Sequence, residues 1–140
     1  MMTLRTCTLL AATLAAALAT SACTRHISED IRDDGTAGQL VFPDPETAVL
    51  PEGTFPDAAH LHALGSTGAT KDQLYQALGR PHFPAGFAGV REWDYLFHFR
   101  DGERVTTCQY KVIFDTSGHV GSSHWKPADC AARAQLDRAR

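Results

Sequence analysis

Few folds accommodate the stretch Glu92–Cys130 (EWDYLFHFRDGERVTTCQYKVIFDTSGHVGSSHWKPADC). Trp93, Tyr95, Phe97 and Phe99 alternate with Glu92, Asp94, Leu96, His98 and Arg100, the period-two pattern of a strand with one buried face. Asp101-Gly102 then offers a tight reversal, because both residues tolerate positive φ. Val105–Phe114 is rich in β-branched and aromatic residues and places Cys108, Tyr110, Val112 and Phe114 on one face. Asp115-Thr116-Ser117-Gly118 is a second turn signal, and His119–Trp125 reads as a third, more polar strand. Pro127 has no N–H for a ladder and ends the pairing. The expectation is a three-stranded antiparallel meander with an aromatic face that the rest of the chain must cover.

Upstream, two short helices are predicted. Phe55–Leu64 carries Asp57 as N-cap, Leu61 and Leu64 at i,i+3 spacing, and Gly65 as a stop. Thr70 and Gln73 form the two ends of a capping box, Leu74 and Leu78 lie one turn apart, and Gly79 then Arg80-Pro81 end the helix. Helices this short are marginal alone in water, so both are expected to pack on the aromatic face. The fold class is α+β: two short helices on a three-stranded meander, in two layers. Between helix and strand, Pro81–Arg91 holds Phe83, Phe87 and Val90. It reads either as a connection with apolar plugs or as an exposed binding loop.

The N-terminus resembles an export signal. Arg5 precedes an apolar run from Thr8 to Thr20, too short to span a bilayer comfortably. The run ends in Thr20-Ser21-Ala22-Cys23, which resembles a bacterial lipobox, with Thr20 where Leu is usual. Cleavage before Cys23 followed by acylation would anchor the chain in lipid. Ordinary cleavage after Ala22 is the alternative. Thr24, rather than Asp, after Cys23 points to the outer membrane. Taking residues 1–22 from the 140 leaves 118, one small domain, and removing Arg5 moves the formal net charge from −3 to −4. That balance argues against a nucleic-acid partner and gives no reason to expect a basic membrane-binding patch. With Cys7 removed and Cys23 acylated, Cys108 and Cys130 remain as a pair, expected to form a disulfide in an oxidising compartment. Residues 23–53 are polar, acidic and broken by glycine and proline, and are predicted to be a flexible tether from lipid to a domain spanning 54–130. Within it, Leu40-Val41-Phe42 could pair as an edge strand or dock on a partner. Residues 131–140 are expected to be a tail, either helical or frayed.

Helix, helix, meander, behind a lipoprotein-like signal, resembles the BamE family, also called SmpA or OmlA. Gly68-Ala69-Thr70-Lys71-Asp72-Gln73-Leu74 is similar to its G-M-[ST]-K-x-x-V helix start, with Ala69 in place of Met, and Leu78-Gly79-Arg80-Pro81 to its L-G-x-P end. Trp93-x-Tyr95 and Val112-x-Phe114-Asp115-x-x-Gly118-x-Val120 match its strands. This version is similar to the module that precedes an OmpA-type domain in some envelope lipoproteins; no such domain is expected after Cys130. The resemblance implies a non-enzymatic accessory lipoprotein of β-barrel assembly, on the periplasmic face of the outer membrane. It would dock on the machinery's lipoproteins or its barrel subunit, with membrane lipid reached through Cys23. An inhibitor-like periplasmic domain is the alternative, since the layout also resembles β-lactamase-inhibitor-like folds.

Chemistry is sparse. Seven histidines occur, but no C-x-x-C, H-x-x-x-H or H-E-x-x-H spacing accompanies them. Cys108 is expected in a disulfide rather than as a thiolate nucleophile. No catalytic residue, metal or cofactor is therefore predicted. Phe83, Phe87, Arg91, Tyr110 and Trp125 are the expected partner contacts, since aromatics and Arg dominate interface energetics. Trp93, Phe97 and Phe99 are expected in the core.

Overall fold

The meander forms at the expected place. β3 (Glu92–Asp101), β4 (Arg104–Phe114) and β5 (Val120–Lys126) make an antiparallel sheet in the order β3-β4-β5. The register sets Tyr95 opposite Tyr110, Phe97 opposite Cys108 and Tyr110 opposite Trp125, so the alternate residues of the strands do share one face. The pairing is irregular between Ile113 and Phe114, a bulge-type shift of the kind that bends a strand near its end. The computed structural model describes residues 27–64, 68–86 and 89–138. The signal segment, Cys23 and Phe87 lie outside the described residues.

Preceding the sheet, α1 (Ala58–Leu64) and α2 (Lys71–Leu78) occupy the expected positions. Asp57 Oδ1 accepts from the N–H groups of Ala59 and His60, as an N-cap should. The Thr70/Gln73 capping box closes in both directions, and Gly79 ends α2 at φ 76°. Neither helix would persist alone, but Leu61, Leu74 and Leu78 are buried in one cluster with Tyr95, Phe97, Phe99, Tyr110, Val112 and Phe114. Burial of about 1.5–3 kcal/mol per large side chain offsets the cost of forming such short helices. Trp93 packs at the rim of that cluster, edge-on to Phe114 at 5.0 Å. The fold is α+β.

Two features go beyond the expected pair of helices. The tail is helical: α3 (Cys130–Arg138) packs against α1 and against β3 and β5 on the aromatic side. The Cys108–Cys130 disulfide, across a Cα–Cα distance of 6.2 Å, pins its start beneath β4.

The second feature corrects the tether. From Glu29 onward the chain is folded rather than loose. β1 (Glu29–Ile31) and β2 (Ala37–Gln39) pair as an antiparallel hairpin, a 3-10 turn follows at Pro45–Thr47, and the segment runs along the second face of the sheet. Arg32 O accepts from the Arg91 guanidinium, Thr116 N–H donates to Asp33 O, and Ser122 Oγ donates to Gly35 O. Gln109 Nε2 donates to Pro43 O at 2.7 Å. Thr54 N–H donates to Leu96 O, and His98 N–H to Thr54 O, a short parallel extension beyond β3. A polar composition was compatible with order because the segment's backbone groups find partners in the sheet and its turns. The expected two layers therefore gain a partial third.

Candidate functional site

The five contact candidates separate. Phe83 is 3% exposed and Tyr110 2% exposed, so neither presents a surface. Phe83 is a plug between the loop and the second sheet face, and Tyr110 lies in the aromatic core beside Trp125 (ring centroids 4.5 Å apart). Both expectations are corrected: the interface-forming size of these rings is spent on packing. Trp125 is half-buried against the same cluster. Arg91 is committed to the fold, its Nε donating to Phe114 O at 2.9 Å and its terminal amine to Arg32 O. Phe87 lies outside the described residues. The Cys108–Cys130 pairing is as expected.

What the second face holds instead is a buried charge cluster. Lys111 on β4 is fully buried, and its Nζ donates to Glu92 Oε2 at 2.9 Å and Asp94 Oδ2 at 2.8 Å, both carboxylates coming from β3. Cross-strand register creates the cluster, with Asp94 directly opposite Lys111 and Glu92 opposite Ile113. The N–H groups of Ile27 and Ser28 donate to Glu92 Oε1, so that carboxylate is satisfied at both oxygens. Asp94 is not: its Oδ1 is buried and has no hydrogen-bond partner among the described residues. Burial pushes the Asp94 carboxyl up to about 7, with the Glu92 carboxylate adding to it and Lys111 opposing. Burial acts on Glu92 too, but its hydrogen bonds to Lys111 and Ile27 hold it below the usual value.

Glu92 and Asp94 form part of the wall of a cavity of about 360 Å³. Its other walls are Ile27, Val41, Phe42 and Pro43 from the N-terminal segment and Phe83, Pro84 and Ala85 from the loop, with Asp44 and Thr47 at the edge. Beside it His82 is buried, accepting at Nδ1 from Leu96 N–H at 2.8 Å, and burial lowers its pKa. A neutral imidazole is what that hydrogen bond requires. Among the described residues no group of three or more His, Cys, Asp or Glu converges as a metal site.

At the far end of the same face lies an exposed patch. Phe55 is 54% exposed, with the Arg100 guanidinium 5.0 Å from its ring centroid and the His98 ring 5.3 Å away. Val105, directly opposite Arg100, is 45% exposed. His98 is held by Thr107 Oγ1 and Glu52 O, which fixes the platform under Phe55. Aromatic residues and Arg are the types enriched in protein interfaces.

Sequence reasoning missed the charge cluster, the cavity and Phe55. Its pointer was the unbroken run Val112-Ile113-Phe114, which marks a strand buried on both faces and hence makes its neighbours Glu92, Asp94 and Lys111 interior residues. The part of the chain from Gly53 to His124, holding α1, α2, β3, β4 and most of β5, matches the family model described as the outer membrane protein assembly factor BamE domain. That match over residues 53–124 takes in just over half of the 140 residues, and with the helix–helix–meander order it establishes that the chain belongs to the BamE family.

Proposed function

We propose that this protein is a non-enzymatic accessory subunit of the machinery that assembles β-barrel proteins in the outer membrane. In this reading it is anchored by acylated Cys23 on the periplasmic face and docks on the machinery's lipoproteins or its barrel subunit. The observation that carries the reading is the family match over residues 53–124. The docking patch is Phe55 with Arg100 and Val105, because these side chains are exposed while Phe83 and Tyr110 are not. Phe87, outside the described residues, is kept as a further contact candidate. With Cys23 acylated, the ordered segment from Ile27 onward would leave only three residues, 24–26, between lipid and fold, holding the domain close to the membrane.

The test is affinity purification of the tagged protein from detergent-solubilised outer membrane, with Cys23→Ser and Phe55→Asp as variants. Recovery of the barrel-assembly subunits with the unaltered chain, lost with Phe55→Asp at an unchanged melting temperature, supports the reading. Recovery of a different envelope complex overturns it. Cys23→Ser should move the protein from the membrane pellet to the soluble periplasmic fraction. If it stays in the pellet, acylation is not the anchor.

A further inference from the structure

We propose that the cavity between the N-terminal segment and the loop Phe83–Ala85 is a binding site for a primary ammonium group carried on an apolar stem. The argument starts from the wall. Ile27, Val41, Phe42, Pro43, Phe83, Pro84 and Ala85 give it an apolar body, and a volume of about 360 Å³ falls within the range of small-ligand pockets, roughly 300–1,000 Å³. All of its ionisable wall residues are carboxylic: Asp44, Glu92 and Asp94. The nearby cations, Lys111 and Lys126, lie 5.7 and 5.9 Å from the Phe42 ring centroid and are not themselves wall residues.

The polar accounting narrows the choice. Lys111 is the single cation of the buried cluster and serves two carboxylates, so the ionised cluster carries one uncompensated negative charge. Glu92 has both oxygens engaged. Asp94 has Oδ2 held by Lys111, while Oδ1 is buried, without a partner among the described residues, and part of a side chain 7% exposed. A buried acceptor without a donor is costly, and an occupant whose donor the Asp94 carboxylate turns to meet recovers that cost. One free oxygen matches the compact point donor of an ammonium better than the planar fork of a guanidinium, which seeks paired acceptors.

The cavity is also particular to this chain's architecture. Six of its wall residues, Ile27, Val41, Phe42, Pro43, Asp44 and Thr47, precede the BamE-domain match that begins at residue 53. The site is thus made where the N-terminal segment meets the domain, and it does not depend on the assembly reading. Two sources carry the required chemistry: a free alkylamine, or a lysine side chain of another protein.

The test is a heteronuclear NMR titration of the full-length protein with n-butylammonium, n-butanol as its neutral counterpart, and Nα-acetyl-lysine amide. Saturable shifts at Phe83, Ala85 and Asp94 are expected, with butylammonium about tenfold or more tighter than butanol, the preference a charge-assisted hydrogen bond gives. Asp94→Asn should erase the preference. Ala85→Trp, which fills the cavity and leaves Glu92, Asp94 and Lys111 themselves unaltered, should abolish binding and keeps the proposal testable should the Asn variant fail to fold. Equal affinity for amine and alcohol, absence of saturation, or shifts that survive Ala85→Trp each overturn the site. Binding of the lysine amide supports a protein side chain as the source; binding of butylammonium alone supports a free amine.

Discussion

Gly35 and Gly121 meet so closely that a Cβ on Gly121 would lie 2.6 Å from the Gly35 Cα. The contact seats the turn of the β1–β2 hairpin on β5, and Gly35 itself sits at φ +79°. Neither backbone can retreat without breaking the Ser122–Gly35 and Thr116–Asp33 hydrogen bonds. Gly121→Ala should therefore destabilise the protein by about 1–3 kcal/mol, the range of overpacking. The damage should be local: hydrogen exchange in 29–39 accelerates by more than in β4, read by native-state exchange. Equal acceleration throughout would mean that the hairpin is not a separate docked unit.

The meander and the two caps were legible because each is written in local sequence, and the disulfide because Cys108 and Cys130 are the pair left once Cys7 and Cys23 are set aside. Strand period, the Thr70/Gln73 box and the Asp101-Gly102 turn need only neighbours along the chain. The N-terminal segment was not legible, because its order rests on partners 59 to 87 residues away, such as Arg91 for Arg32 and Ser122 for Gly35. Composition sees acid, glycine and proline there and has no access to those pairings. Phe83 and Tyr110 turned out buried for a related reason. Aromatic residues favour interfaces and cores alike, and only the register of Tyr110 against Tyr95 and Trp125 decides between them.

Lys111 is the central charge of the second face, and removing it leaves Glu92 and Asp94 buried without a counter-ion. Lys111→Met should cost about 3–5 kcal/mol, the range for breaking a buried ion pair from one side. Replacing all three at once, with Glu92→Gln and Asp94→Leu added to Lys111→Met, should recover part of that loss. Urea denaturation of both variants checks the pair of expectations. A single substitution costing under about 1 kcal/mol would place the cluster in far wetter surroundings than its burial indicates.

The Asp94 carboxyl gives stability a distinctive pH dependence. Its folded pKa, about 7, lies above the ordinary 3.8, so the folded state holds the proton more tightly than the unfolded chain does. The stabilisation is complete below pH 3.8 and is lost as pH rises through 7. Glu92 and Lys111 face Asp94 within the cluster, and His124 of β5 lies opposite Lys111. Burial and the Lys111 charge lower the His124 pKa, and burial lowers that of His82, so both histidines lose stability in the opposite direction, as pH falls. The comparison that isolates Asp94 is therefore with Asp94→Asn. The stability of the unaltered protein relative to this variant should decline between pH 4 and 7 and level off above. A difference independent of pH over that interval would show that Asp94 titrates as an ordinary surface carboxylate.

Cys108 and Cys130, separated by 22 positions in sequence, close a loop that contains all of β5. Loop-closure entropy assigns such a bond about 3 kcal/mol, with a usual range of about 2–4 kcal/mol. Its structural effect is more specific than its magnitude. α3 begins at Cys130, and Ala134 one turn later packs against the aromatic cluster that holds Trp125. Cys108→Ala with Cys130→Ala should let α3 detach before the sheet melts, exposing Trp125 and shifting its fluorescence to longer wavelength at denaturant concentrations where β3–β4 amides stay protected. α2, held by its own capping box and by Leu74 and Leu78, should remain protected with the sheet. If the fluorescence shift and the loss of sheet protection coincide, α3 is integral to the cooperative core and the disulfide stabilises the domain as a whole rather than fastening one helix to it.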